Sequence, residues 1–257
     1  GWHYSALANV AESPKERAEL YKNAADEFKA GKNDDFYHWA MGSHYSALAN
    51  VAESPKERAE LYKKAADEFK AGKNDDFYHW AMGTHYGAST KIAESPKEEA
   101  ELHKKAADEF KAGKNDDWYH QAMGMHYRAL AVITESPKEE AELHKKAADE
   151  FKAGKNDDWY HQAMGMHYSA LANVAESPKE EAELHKKAAD EFKAGKSDES
   201  YHWAMGSHYS ALALANVAES PKEMAELLKK AADEFKAGKL DVWYHMAMGV
   251  HYRALAV

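Results

Sequence analysis

Histidine and methionine are the side chains of this chain that could bind a transition metal. His38 and Met41 lie one helical turn apart, and imidazole with thioether is a donor pair that suits soft ions such as copper. His103, His144 and His185 could supply further ligands. A histidine that recurs beside Tyr, Ala and Gly is also typical of a hydrogen bond between packed helices. We favour the structural interpretation and predict no bound metal or other cofactor.

Catalytic residues are not indicated by any other pattern. The acidic pairs Asp26-Glu27 and Asp34-Asp35 are typical of a solvated helix face and of a helix start, respectively. Glycines occur singly and form no phosphate-binding run. The chain contains no cysteine, which excludes disulfides and thiol catalysis. We therefore expect that the protein is not an enzyme.

The seven tryptophans form the other group with a recognisable chemistry. They fall on the positions that vary between otherwise similar sequence units. At about 100° per residue, these positions lie within roughly 80° of one another on a helix. We call this surface the Trp stripe. In the first complete unit it comprises Phe36, Trp39, Ser43, Ser46 and Asn50.

Aromatic, methionine and arginine side chains on the Trp stripe resemble the composition of protein-binding surfaces. Its other members include Phe77, Thr84, Gly87, Lys91, Ser169, Asn173, Ser200, Ser207, Met246, Val250 and Val257. The candidate ligand-binding residues are Trp39, Trp80, Trp118, Gln121, Met125, Arg128, Trp159, Gln162, Met166, Trp203, Trp243 and Arg253.

Packing between helices is the alternative interpretation of the Trp stripe. When the tryptophan moves from the Trp39 position to the Trp118 position, the vacated site becomes Gln121, which indicates that a fixed volume is filled. Gly87 and Arg128 are poor choices for a tight core, since a buried polar group needs a partner. The sequence leaves both interpretations open.

A repeat positions these residues. The serine of an Glu-Ser-Pro-Lys-Glu segment recurs every 41 residues, and the last step is 43 residues because of a two-residue insertion. These serines are Ser13, Ser54, Ser95, Ser136, Ser177 and Ser220. Periods of this length predict an array in which each unit buries its apolar face against its neighbours.

Each unit predicts two helices. In the first, which we call the Pro helix, Ser13 is the N-cap, Pro14 takes the first helical position, Glu16 completes a capping box and Gly31 ends the helix. The second, the Trp helix, is expected to begin after residues 33–35, whose short side chains cap free N–H groups, and to run to about residue 52.

Short connections and the absence of strand periodicity predict an all-α fold of αα-hairpins. The net charge of −10, with no basic stripe, argues against nucleic acid and against an anionic membrane surface as partners. No apolar run approaches the roughly 18 residues of a membrane span.

The Trp helix carries a family resemblance. His38-x-x-Met41-Gly42-x-x-Tyr45 resembles the Trp-x-x-Leu-Gly-x-x-Tyr signature of tetratricopeptide repeats. His stands where that family has Trp, and the proline of this repeat begins a helix instead of ending a unit.

The Pro helix extends the resemblance. Ala24 and Phe28 match the Ala-x-x-x-Phe of tetratricopeptide repeats, and the Leu-Tyr-x-Lys-Ala-Ala segment 61–66 is similar to the SEL-like subclass. The SEL-type glycines are absent at Leu48 and Asn50. The resemblance implies a right-handed superhelix that binds protein segments on its concave side, with no catalytic residues.

We therefore predict one repeat domain, 1–257, an αα-hairpin solenoid of six 41-residue repeats. The predicted segments are 1–32, 33–73, 74–114, 115–155, 156–196, 197–239 and a terminal helix 240–257. The predicted function is a scaffold that binds an extended peptide, or another elongated ligand, along the Trp stripe. Self-assembly into a ring or filament is the first alternative, because the end units lack a polar cap. A His/Met metal-binding repeat protein is the second.

Overall fold

Helical hairpins make up the chain. The computed structural model describes residues 1–215 and 220–255, and in this part of the chain there are thirteen α-helices and no strand. The helices are α1 (Trp2–Val10), α2 (Pro14–Ala30), α3 (Asp34–Ala49), α4 (Pro55–Ala71), α5 (Asp75–Ser89), α6 (Pro96–Ala112), α7 (Asp116–Ile133), α8 (Pro137–Ala153), α9 (Asp157–Ala172), α10 (Pro178–Ala194), α11 (Asp198–Leu214), α12 (Pro221–Ala237) and α13 (Asp241–Leu255). The predicted all-α repeat architecture is confirmed.

Residue contacts divide the chain into two compact units, unit 1 (Gly1–Ala129) and unit 2 (Leu130–Val257). Within unit 1, consecutive helices from α1 to α6 pack against each other, and consecutive helices from α8 to α13 do the same within unit 2. Even-numbered helices are the Pro helices and odd-numbered ones are the Trp helices. Neighbours in sequence are therefore neighbours in space, as the short connections predict.

The start of each Pro helix follows the predicted capping pattern. The Ser13 hydroxyl accepts a hydrogen bond from the backbone N–H of Glu16 at 3.1 Å, and the same contact recurs in all six Pro helices. The reciprocal contact is shifted by one residue in α4, where the Glu57 carboxylate accepts from the N–H of Glu53, before the cap residue Ser54.

The Pro helix ends in a left-handed residue that is not the glycine. Gly31 has a φ of −77°, whereas Lys32 has a φ of 55°. The N–H of Asn33 then donates to the carbonyl of Phe28 at 2.9 Å, which closes a Schellman-type end. The equivalent lysine adopts the left-handed region after every Pro helix.

The Trp helix differs from the prediction at both ends. Asn33 is the N-cap of α3, but its side chain makes no capping hydrogen bond, so the expected role of short side chains as caps is wrong there. Asp34 and Asp35 lie in the first turn, where they complement the helix dipole. The helix ends at Ala49 and not near residue 52.

Small and aromatic residues form the core of each hairpin. In the hairpin of α2 and α3, the buried residues Ala24, Ala25 and Phe28 pack against Ala40 and Met41. Alanines let the two helices approach, and the phenyl ring fills the space between them. The same five positions form the core in the hairpins of α4–α5 and α10–α11.

An invariant glycine joins consecutive hairpins. A Cβ placed on Gly42 would lie 2.6 Å from the Phe69 ring of the next Pro helix, and one on Gly83 would lie 2.5 Å from the Phe110 ring. Glycine is therefore required because a ring occupies the space of its side chain. The close approach is between a backbone and a phenyl ring.

Candidate functional site

The second position of the Trp stripe, which Trp39 occupies in the first complete unit, carries indoles that take part in packing. Trp39, Trp80 and Trp203 are half-buried and contact the cores of their own hairpin and of the next one. Each also lies edge-on against a ring of the preceding Pro helix. Trp39 lies 5.8 Å from Tyr21 at 88° and Trp203 lies 5.4 Å from His185 at 86°, between ring centroids. These three indoles therefore take part in packing between helices while part of each side chain stays accessible.

The first position of the Trp stripe is the one that Phe36 occupies in the first complete unit, and in three later units it carries an indole. Trp118 and Trp243 are 51% and 44% exposed, and Trp159 is half-buried. The Trp118 ring is tilted by 32° against Phe110 at 5.8 Å, in the place that a phenylalanine occupies in the earlier hairpins. Two indoles at the first position are thus more exposed than those at the second position.

The remaining candidate ligand-binding residues also differ in their exposure to solvent. Gln121, Met125, Arg128, Gln162 and Met166 are half-buried, whereas Arg253 on α13 is exposed. The Arg128 guanidinium lies 3.8 Å from the Met125 sulfur, and burial lowers the pKa of Arg128, against the opposing charge of Glu99. Val257 lies outside the described residues.

A cavity of about 440 Å³ opens on the Trp stripe of unit 1. It lies between the Trp helices α5 and α7, with the Pro helix α6 as its floor. Its stripe residues are Asn50, Thr84, Gly87, Lys91, Trp118, Gln121 and Met125, and its other lining residues include Arg58, Tyr62, Glu99, His103, Ala106 and Phe110.

At two positions that line this cavity, a smaller side chain stands where the previous hairpin has a large aromatic ring. Gln121 stands where the previous hairpin has Trp80, and His103 stands where it has Tyr62. Trp80 and Tyr62 contact each other at 5.9 Å, so both partners of one aromatic pair are replaced together in the next hairpin. Gly87 adds further room, because nothing lies within 4 Å of a Cβ built on it.

A second cavity, of about 350 Å³, lies on the Trp stripe of unit 2. It is lined by Met166 and Ser169 of α9, and by Ser200 and Trp203 of α11. Here the second position retains its tryptophan, while Ser200 replaces the aromatic residue of the first position. Each of the two cavities thus accompanies a stripe position at which a ring is absent.

Two Pro-helix histidines beneath the stripe are held neutral. Burial lowers the pKa of His103 to about 4, and electrostatic interactions with Lys91, His126 and Arg128 lower it further. Burial, with His208, lowers the pKa of His185 to about 4 as well. These rings therefore present an uncharged surface near neutral pH.

The recurrent histidines of the Trp helices make hydrogen bonds between helices. His44 Nδ1 donates to the Ala18 carbonyl of its own hairpin at 2.8 Å, and the equivalent bond occurs in all six hairpins. His38 Nδ1 donates to the Glu68 carboxylate of the next hairpin, also at 2.8 Å, as His79 does to Glu109. The structural interpretation of His38 is confirmed by this contact.

The metal-binding alternative finds no assembled ligand set. Among residues 1–215 and 220–255, no group of three or more His, Asp or Glu side chains could hold an ion. Met41 is buried in its hairpin core, and the equivalent sulfur of Met82 lies 3.9 Å from the Lys63 ammonium. Within the same described residues, no helix is both long and apolar enough to cross a membrane.

Sequence reasoning missed His103, Glu99 and Arg58 as lining residues of the unit 1 cavity. A signal for His103 existed, because the change from tyrosine to histidine occurs in the same hairpin as the change from tryptophan to Gln121. Arg58 carries no such signal, since the arginine recurs at Arg17 in the first Pro helix. No model of a known protein family matches the sequence, and no curated protein matches it.

Proposed function

We propose that the protein is a non-enzymatic scaffold that binds an extended peptide along the Trp stripe. One observation carries this proposal. The cavities of unit 1 and unit 2 both lie on the stripe, each between consecutive Trp helices. Repeat proteins bind extended segments through residues that vary on such a shared face.

The lining of these cavities supports a peptide ligand. In unit 1, Trp118 and Met125 supply apolar area, while Thr84 and Gln121 offer hydrogen-bond donors and acceptors. In unit 2, Met166 and Trp203 are combined with hydroxyl groups in the same way. A mainly apolar pocket with a few polar groups is typical of ligand sites.

A test of this function uses a library of capped, extended peptides and measures binding to the full chain by fluorescence polarisation. Trp118→Ala and Met125→Ala should each weaken peptide binding by roughly tenfold, if each truncation removes about 1.4 kcal/mol of contact. The control is Lys104→Ala on the exposed face of α6, where the side chain contacts Asp108. Binding that all three variants retain would place the peptide elsewhere, and a library without any binder would argue against the scaffold function.

Self-association is the second candidate, and Gly249 on α13 favours it. Among the described residues, nothing lies within 4 Å of a Cβ built on Gly249, whereas the equivalent Gly42 and Gly83 each receive a phenyl ring. Trp243, Met246 and other large apolar side chains are exposed on this helix. A second copy of the chain could therefore pack against α13 as one hairpin packs against the next.

Light scattering against protein concentration tests this second candidate. Growth of the average mass with concentration supports it, and Gly249→Leu should then restore a constant mass, because the leucine side chain fills the space for a ring. A constant monomer mass for the unsubstituted chain would exclude self-association.

A further inference from the structure

One position of the Trp stripe in unit 1 lacks the ring that three of the other hairpins carry there. Trp39, Trp80 and Trp203 each place an indole edge-on against a ring of the preceding Pro helix. In α7 the same position is Gln121. His103, the corresponding residue of the Pro helix, is part of the cavity wall, and no indole in the part of the chain that the structure describes lies edge-on against it.

Unit 2 contains the same Pro-helix arrangement with its indole present. His185 holds Trp203 edge-on at 5.4 Å and 86°, and Glu181 lies 3.9 Å from the His185 Nε2 atom. In unit 1, Glu99 lies 3.7 Å from the His103 Nε2 atom. Both imidazoles are neutral at pH 7, because burial lowers each pKa to about 4. The surface that binds an indole in unit 2 thus recurs in unit 1.

The space over His103 has the size and lining for such a ring. Its volume of about 440 Å³ falls within the range of small-ligand sites, roughly 300–1,000 Å³. Ala106 and Phe110 contribute apolar walls, and Trp118 offers an indole face 51% open to solvent. Gly87 adds no side chain that would fill the space.

Charges around the cavity favour an anionic group next to the ring. Among the residues that line it, Arg58 and Lys91 are positive and Glu99 is negative. Lys91 and Arg128 both act on His103 as positive charges. A carboxylate near the cavity mouth would therefore be attracted, although exposed charges of this kind contribute little to affinity.

We propose that this cavity binds an aromatic ring that carries a nearby carboxylate, with the ring against His103 as Trp203 lies against His185. The ligand is the anchoring residue of the bound peptide, an aromatic side chain flanked by an acidic one. In that respect the inference rests on the proposed function. The cavity itself is tested without any peptide.

Calorimetry on the full chain with three small probes tests the cavity. Indole-3-acetate should bind more tightly than the neutral 3-methylindole by roughly threefold, the effect of about 0.7 kcal/mol from the nearby cations. Tryptamine, which carries a positive charge, should bind more weakly than either. Lys91→Gln should reduce the preference for indole-3-acetate over 3-methylindole and leave 3-methylindole binding unchanged.

The decisive variant is Gln121→Trp, which returns the indole of the other hairpins to this position. The chain's own ring should then lie against His103 and weaken the binding of both indole-3-acetate and 3-methylindole by at least roughly tenfold. This variant is compatible with the fold, because three hairpins carry tryptophan there. Gln162→Trp makes the same change in unit 2 and should leave the affinity of unit 1 intact.

Failure of indole-3-acetate to bind would overturn the inference. Equal binding of indole-3-acetate by the unsubstituted chain and by the Gln121→Trp variant, with unchanged helicity by circular dichroism, would also overturn it.

A capped Asp-Trp-Asp peptide tests whether the ring that binds in the cavity comes from a peptide. Binding of this peptide that is lost in Gln121→Trp supports a peptide anchor. Binding of indole-3-acetate without the peptide supports the cavity and rejects the peptide. Peptides that bind equally to the unsubstituted chain and to the Gln121→Trp variant support the scaffold function and reject the aromatic anchor in this cavity.

Discussion

The backbone of Gly83 lies against the phenyl ring of Phe110, so closely that a Cβ on Gly83 would lie 2.5 Å from the Cε1 atom. Phe110 is buried in the core of its hairpin and cannot easily move away. Gly83→Ala should therefore lower the free energy of unfolding by about 1–2 kcal/mol, since overpacking exceeds the gain in helix propensity. Urea denaturation measures this change.

Gly249→Ala is the matched control for that substitution. Gly249 occupies the same repeat position in α13, where no atom of residues 1–215 or 220–255 lies within 4 Å of a built Cβ. Alanine should here raise the free energy of unfolding by up to about 1 kcal/mol, because only the helix propensity changes. An equal loss of stability in both variants would contradict the role of the phenyl ring.

The histidine–carboxylate contact between hairpins should also be measurable. His79 Nδ1 donates to the Glu109 carboxylate at 2.8 Å, and both side chains are less than one-third exposed. His79→Ala should cost about 1–2 kcal/mol of unfolding free energy, because it leaves a half-buried carboxylate without this donor. Thermal or urea unfolding would show it.

His245 provides the comparison, since it occupies the same repeat position and makes the same ring contact with the tyrosine before it. No carboxylate within the described residues accepts a hydrogen bond from His245, and its side chain is exposed. His245→Ala should change stability by less than about 0.5 kcal/mol. A loss as large as that of His79→Ala would show that the carboxylate contact is unimportant.

Acid should destabilise the protein through His103 and His185. The pKa of each is about 4 in the folded chain and 6.5 in the unfolded one, chiefly because of burial. Between these two values the unfolded state binds more protons, so the free energy of unfolding falls as the pH falls from 6.5 to 4. The loss is up to about 3 kcal/mol for each histidine.

Leucine substitutions isolate this contribution. Leu228 occupies the equivalent position in α12 and is buried there, so His103→Leu and His185→Leu keep a side chain that the repeat already accepts. Urea denaturation at pH 7 and pH 4.5 should show a smaller difference for each variant than for the unsubstituted chain. An unchanged difference would mean that other groups cause the acid sensitivity.

The left-handed lysines offer a route to higher stability. Lys73 has a φ of 54°, a conformation in which a Cβ is strained. Lys73→Gly should raise the free energy of unfolding by about 0.5–1 kcal/mol, because the relief of strain exceeds the entropy cost of glycine. Ala71→Gly, at the last residue of α4, should instead lower it by up to about 1 kcal/mol. Urea denaturation compares the two variants, and similar shifts in both would show that Lys73 is not strained.

Local signals predicted the helices well and the glycines only in part. Ser13 and Pro14 specify the start of α2 because capping depends on residues within one helical turn. Gly42, in contrast, is required by the Phe69 ring, which lies in the next hairpin and which no local pattern connects to it.

The sequence was sufficient to place the Trp stripe on one face of a helix, but not to tell which of its indoles are packed and which are exposed. Variation between units identified the Trp stripe, because residues one turn apart share a face whatever the tertiary structure. Whether an indole on that face is packed depends on the ring opposite. Trp80 meets Tyr62, whereas Trp118 lies against Phe110 and remains 51% exposed. The unit 1 cavity is lined by Tyr62, Phe110 and Trp118, so its position depends on both of these ring contacts.

The sequence by itself determined the repeat, the helices with their start signals and the face on which variation is concentrated, since these depend on residues close together in the chain. Only the tertiary structure decided which indoles are packed, which carbonyls and carboxylates the histidines reach and where cavities open. Those outcomes depend on groups from different helices, such as His38 and Glu68, 30 residues apart in the chain, which meet only when the helices pack together.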